Sequence, residues 1–192
     1  MRISPVSFGK KVPIMQCSIK DVDKQKNVPA TISEYDCQTS EDADEVLRMG
    51  SDWHYYIDIA CDMRNKYKQE NFLEEKSPFH FYVMENEKGI PVALCETLEE
   101  DKDIKVKYIE STHDYGHKYC GKTMLAALGK KLLNNKGNRL IIAYPLPSAY
   151  NFYVKGCGFE KMKENSRYLE MNSEQVDRFV SETELQTGGK IG

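Results

Sequence analysis

The residues with the clearest chemical potential lie together, a little past the middle of the chain. Ile109, Glu110 and Ser111 end an alternating run that reads as a β-strand. Gly116, His117, Lys118, Tyr119, Cys120, Gly121 and Lys122 follow, and Met124, Leu125, Leu128 and Leu132 then recur at helical spacing. A strand, a small-residue loop and a helix start can make an anion site. The first N–H groups of a helix lack internal partners, and the peptide dipoles add partial positive charge there. Gly116 and Gly121 let successive amides close on a pyrophosphate as a nest. His117, Lys118 and Lys122 bring positive charge around it. The same pattern also suits an ordinary strand-to-helix turn.

Two other chemistries use the same stretch. His113, His117 and Cys120 have spacings compatible with metal ligation on a helix. Gly116 and Gly121 argue for a loop instead, and no fourth ligand is near, so no metal is expected. Cys120 beside a helix N-terminus is a candidate activated thiol, which would make a thiol enzyme.

These residues need a scaffold. Residues 12–19 and 28–35 read as two strands of an N-terminal hairpin around a polar turn. Helices are expected over 39–49 and 52–69, the second carrying Trp53, Tyr56, Ile57 and Ala60 on one face. From Ser77 the period changes to two, giving strands over 79–84, 91–97 and 104–111. A helix over 120–134 leads to residues 139–144, a continuous apolar strand of the kind buried on both faces. A short helix over 148–156, strands over 159–162 and 167–171, and a helix over 173–183 complete the order. Residues 1–184 are expected to form one domain, with 1–38 as a hairpin extension and 185–192 as a flexible tail.

Composition agrees with such a domain. The chain has 192 residues, enough for one core, and a formal net charge of -3 from 27 basic and 30 acidic side chains. No basic excess marks nucleic acid as the partner. No apolar run is long enough to span a membrane, and the first residues lack a leader's apolar core. The six cysteines form no CxxC pair. Reduced thiols in a cytoplasmic protein, monomer or homodimer, are expected.

The segment YIESTHDYGHKYCGKTMLAAL, from Tyr108 to Leu128, resembles the acetyl-CoA site of the GNAT N-acetyltransferase superfamily. Asp114 and Tyr115 fall on the family's acidic-aromatic pair, and residues 116–121 on its phosphate loop. Gly116 stands where an Arg or Gln is usual and Tyr119 where the middle Gly is usual. Further on, SAYNFYVKGCGF resembles the family's A-x-x-x-Y-x-K-x-G-F signature, with Tyr153, Lys155, Gly158 and Phe159 in place.

The resemblance implies an α/β (α+β) fold, a mixed, mostly antiparallel sheet flanked by helices. It implies acetyl-CoA as cofactor, held by Ser111 and residues 116–122, and an acetyl group passed to a primary amine of a small molecule or protein. A main-chain N–H near Ile109–Ser111 would polarise the thioester. Tyr153 matches the general acid, and Glu110 lies on the strand that carries the base, with His113 just beyond. Trp53, Tyr55 and Tyr56 are candidates for the acceptor groove and equally for the core. The alternative is a non-catalytic GNAT-like module that binds coenzyme A or a protein.

Overall fold

A computed structural model describes residues 11–35, 79–111 and 116–192. The helices expected over 39–49 and 52–69, together with His113, Asp114 and Tyr115, lie outside the described residues. The elements are β1 (Lys11–Asp21), β2 (Lys26–Tyr35), β3 (Phe79–Asn86), β4 (Pro91–Glu100), β5 (Asp103–Ser111), β6 (His117–Lys118), α1 (Cys120–Asn134), β7 (Arg139–Ala143), a π-helical turn (Phe152–Cys157), β8 (Glu160–Lys161), β9 (Tyr168–Asn172) and α2 (Ser173–Thr187). The strands form one nine-stranded sheet in the order β6-β1-β2-β3-β4-β5-β7-β9-β8. Only β5 and β7 run parallel among the described pairs.

The alternation predicted for the hairpin is realised. Cys17 and Ile19 of β1 and Val28, Ala30 and Ile32 of β2 point into one core, while Gln16 and Pro29 are exposed. The apolar run of β7 is buried from Leu140 to Ala143, so it contributes side chains to both faces.

Helix α1 lies on one face, with Met124, Leu125, Leu128 and Leu132 each no more than 2 % exposed. Burying each such side chain is worth about 1.5–3 kcal/mol, which fixes the helix over the strands. Gly129 lets α2 come close, since a Cβ there would lie 2.8 Å from Val176 Cγ1. Asn172 and Gln175 cap α2 reciprocally, each side chain accepting the other's main-chain N–H at 2.9 Å. The opposite face of the sheet is also buried, at Ser33, Tyr35, Phe81, Val83, Leu94 and Glu96.

At the far end of α1, Lys131 donates to Glu99 Oε1 at 2.9 Å and to the Tyr82 hydroxyl. Tyr82 in turn donates to Glu99 at 2.6 Å. Glu34 pairs with His80 and lies 3.7 Å from Lys131. This cluster ties β2, β3 and β4 to the helix well away from the start of α1.

The residues expected to form a tail lie along β1. Helix α2 continues to Thr187, and Gln16 of β1 exchanges two main-chain hydrogen bonds with Gly192, at 2.9 and 3.1 Å. Ile191 is 1 % exposed, and its N–H donates to Glu184 Oε1 at 2.9 Å. One apolar side chain in a glycine-rich stretch thus anchors the segment along β1.

Candidate active site

The site begins at an irregularity in β5. Glu96 pairs with Tyr108, but the next residue, Thr97, pairs with Val106, so Lys107 is an extra residue in β5. Such a bulge bends its strand and raises the local twist. Parallel pairing of β5 with β7 runs from Asp103–Arg139 to Val106–Ile142 and stops there. Past the bulge, β5 follows β4 as far as Ala93–Ser111, while β7 stays with β9 to Ala143–Tyr168. Two parallel neighbours therefore part at their carboxyl ends, the place where open α/β sheets bind ligands.

The pairing rows show which way the β5 side chains point. Ser111 lies in a row with Ala93, Met84 and Ile32, on the α1 side. A Cβ at Gly121 would lie 3.6 Å from Ser111 Oγ and 3.8 Å from Phe152 Cζ, so these three residues meet at the mouth of the gap. Glu110 lies in the neighbouring row with Leu94, Val83 and Ser33, on the opposite face. Glu96 shares that face, two rows along, and is 1 % exposed.

The loop before α1 is held in an unusual conformation. Gly116 has φ 63° and Tyr119 has φ 70°, both left-handed. Glycine adopts this region freely; tyrosine does not. Tyr119 precedes the first turn of α1 without a side-chain cap, and its carbonyl accepts from Thr123 at 2.7 Å. A conformation that glycine adopts freely is thus held here by a tyrosine.

Not every predicted loop residue faces one point. His117 and Lys118 form β6, pairing with Asp21 and Lys20. Lys122 donates to Gln186 of α2 at 2.9 Å and lies 5.9 Å from the Phe179 ring centroid, so it is directed toward α2. Cys120 is 3 % exposed, and burial pushes its thiol up to about 12. A thiol held there is protonated at neutral pH, the opposite of an activated nucleophile.

Tyr153 sits in the π-helical turn, 6 % exposed. Its ring meets Phe152 and Phe159 edge-on, with centroids 5.2 and 6.1 Å away. Its carbonyl accepts from Phe159 at 3.1 Å, and Gly158 closes the turn at φ 86°. Burial, with the neighbouring Cys95 and Cys157 thiols, lifts the phenol well above its ordinary range. It therefore stays neutral with its proton in place. Single π turns inside helices are frequent at functional sites.

Sequence reasoning passed over Phe152, which is 39 % exposed at the gap's mouth and precedes Tyr153 directly. It also passed over Asp21 and Asp23, which the hairpin brings against the loop. A Cβ on Gly116 would lie 3.2 Å from Asp23 Oδ2. Phe152 was findable as an aromatic beside the motif tyrosine. The two aspartates carried no signal, because their proximity depends on β6 pairing with β1.

No family model and no curated protein matches this chain in sequence. Solved structures do match it in fold. An acetyltransferase of the GNAT family from Staphylococcus aureus Mu50 aligns with a TM-score of 0.52 at 15 % identity, over 75 % of this chain and 99 % of that one. A mutant of the spermidine N-acetyltransferase SpeG from Vibrio cholerae aligns with a TM-score of 0.50 at 13 % identity, over 77 % and 95 %. The fold of this chain, a mixed and mostly antiparallel sheet with flanking helices, is that of the GNAT N-acetyltransferases.

Proposed function

We propose that this chain is an acetyl-CoA-dependent N-acetyltransferase that passes the acetyl group directly to a primary amine. The observation that carries this reading is the parting of β5 from β7 at the Lys107 bulge. The start of α1 and the Ser111–Gly121–Phe152 contact lie at the opening.

In this reading the pyrophosphate of coenzyme A rests on the main-chain amides of residues 116–122, with His117 and Lys118 nearby. Gly121 leaves room for the close approach. The thioester lies in the gap, where a main-chain N–H of the splayed part of β5 polarises its carbonyl oxygen. The neutral amine adds to the carbonyl carbon from the Glu110 face, and Glu110 or a water beside it takes the ammonium proton. The C–S bond breaks as the carbonyl re-forms, and the departing sulfur takes up a proton with Tyr153 as the donor. Acid and base thus work from opposite faces of one strand. Expulsion of thiolate beside a buried phenol makes the Tyr153 proton worth most late in the step.

The departure at Tyr119 favours a second reading, a module that binds coenzyme A without turning it over. Thiol release from acetyl-CoA in the presence of a panel of primary amines separates the two. Amine-dependent release supports the transferase. Coenzyme binding without release across small-molecule and peptide amines supports the module, and absence of both removes the two together.

A further inference from the structure

We propose that the turn of the β1–β2 hairpin is a positioning element for the coenzyme loop, with the Val22 amide as its principal grip. The proposal rests on the reading of residues 116–122 as that loop.

Three successive contacts join the two segments. Lys20 pairs with Lys118, Asp21 pairs with His117, and Val22 donates its N–H to the Gly116 carbonyl at 2.7 Å. The loop that they hold contains two left-handed residues, Gly116 and Tyr119. Left-handed backbone is unfavourable for a tyrosine, and no side-chain cap compensates at the start of α1. The conformation therefore needs an external hold, and the strand pairing immediately before Tyr119 supplies one.

The hairpin end is itself fixed. Asp21 Oδ1 accepts the Lys24 N–H at 2.9 Å. Lys24 Nζ bridges Asp21 at 3.1 Å and Glu87 of the β3–β4 turn at 3.0 Å. Further along β1, Gln16 is bonded to Gly192. Asp23 packs against Gly116 closely enough that a Cβ there would meet its carboxylate. In a loop that places a tyrosine in the left-handed region, pairing with β1 does the work of holding the anion-binding shape.

The consequence is an affinity that depends on residues which never touch the coenzyme. Apparent affinity scales with the fraction of molecules whose loop is already in the binding shape. Val22→Pro removes the donor to Gly116. Tyr119→Gly removes the cost of the left-handed residue and should matter most where the hold is missing. For the full chain, Val22→Pro is expected to raise both the Kd and the KM for acetyl-CoA about tenfold, while kcat and the amine KM stay within about twofold. Adding Tyr119→Gly should recover most of that loss, and its gain should be larger there than in the otherwise unmodified protein.

Unchanged coenzyme affinity in Val22→Pro, or an equal effect of Tyr119→Gly in both backgrounds, would overturn the proposal. A merely structural role would lower the melting point and the active fraction without a selective rise in coenzyme KM. Should Val22→Pro fail to fold, hydrogen exchange on the unmodified protein decides. Saturating coenzyme should then slow exchange at the Val22 amide along with the loop amides, and no change at Val22 overturns the grip. If the unmodified protein does not bind coenzyme at all, the failure belongs to the loop assignment itself.

Discussion

Gly121 offers the sharpest separation between damage to the fold and loss of a ligand. Around its absent side chain the protein presents only ordinary contacts, with Ser111 Oγ at 3.6 Å, Phe152 Cζ at 3.8 Å and Ser111 Cβ at 3.9 Å. The fold therefore tolerates a side chain there. A carboxylate in the first turn of α1 is even favoured by the helix dipole, by about 0.3–1 kcal/mol. With coenzyme on the loop, the same carboxylate of Gly121→Glu would face the pyrophosphate, and a separation of about 5 Å sets the scale of the repulsion. At an effective dielectric of about 20 that repulsion is about 3 kcal/mol per charge, or roughly 100-fold in affinity. Thermal unfolding with and without acetyl-CoA reads both effects. Coenzyme at about 100 times its Kd adds about 2.7 kcal/mol, a rise of roughly 5–11 °C for a chain of this length. Gly121→Glu should melt no lower than the parent without ligand, and its shift at the same coenzyme concentration should nearly vanish. A full shift in Gly121→Glu would show that the anion does not bind here.

Four further outcomes follow from the same geometry. Tyr153→Phe should lower kcat about 100-fold with little change in the coenzyme KM, and a kcat within twofold of the parent would remove the phenol from the proton path. Burial pushes the Cys17, Cys120 and Cys157 thiols up to about 12, so iodoacetamide at pH 8 should leave all three unmodified until the protein unfolds. Rapid native labelling of Cys120 would revive the thiol-enzyme reading. Ile191→Ala should cost about 2–4 kcal/mol, lowering the midpoint by roughly 4–16 °C, and an unchanged midpoint would show that the Ile191 contact does not hold residues 185–192. At Glu34 burial pushes the carboxyl up, but the His80 contact and Lys131 outweigh it and hold the group below its ordinary value. A depressed carboxylate stabilises the fold above its unfolded pKa, and that contribution is lost as pH falls below about 4.5. Glu34→Gln should therefore flatten the decline of the melting point between pH 6 and 3, and an equally steep decline would exclude Glu34 as a contributor.

Much of the scaffold was legible because it depends on local period. The stripe of Met124, Leu125, Leu128 and Leu132 gave α1 over residues 120–134, and the observed helix is Cys120–Asn134. The unbroken apolar run of β7 announced a strand buried on both faces. What stayed hidden depends on long-range register. Nothing near His117 and Lys118 marks them as a two-residue strand, because their partner lies at Lys20 and Asp21. The bulge at Lys107 was equally invisible, since the residue is an ordinary member of an alternating run until the β4 register is known. The contacts of Ile191 and Gly192 carried no local signal, because glycines and a terminal position suggest fraying while their partners lie on β1 and α2. Lys122 looked like charge for the loop because helical spacing places it in the first turn, but its long stem reaches Gln186 on α2.

The bulge is what turns these separate pieces into a candidate reaction site. Without it, β5 and β7 would continue side by side, and the start of α1 would be a helix end beside a closed sheet. With it, the strand that carries Glu110 and Ser111 leaves its parallel neighbour. Alternation then sends Ser111 toward α1 and Phe152, and Glu110 to the opposite face. A group threaded through the gap would meet the helix start and the Tyr153 side first, and an acceptor would approach from the other. The buried, protonated Cys120 offers no competing nucleophile on the coenzyme side. That agrees with the proposed direct attack by an amine rather than an acyl-enzyme on Cys120. The residues proposed for it come from a strand, a helix start and a π turn that meet where β5 leaves β7.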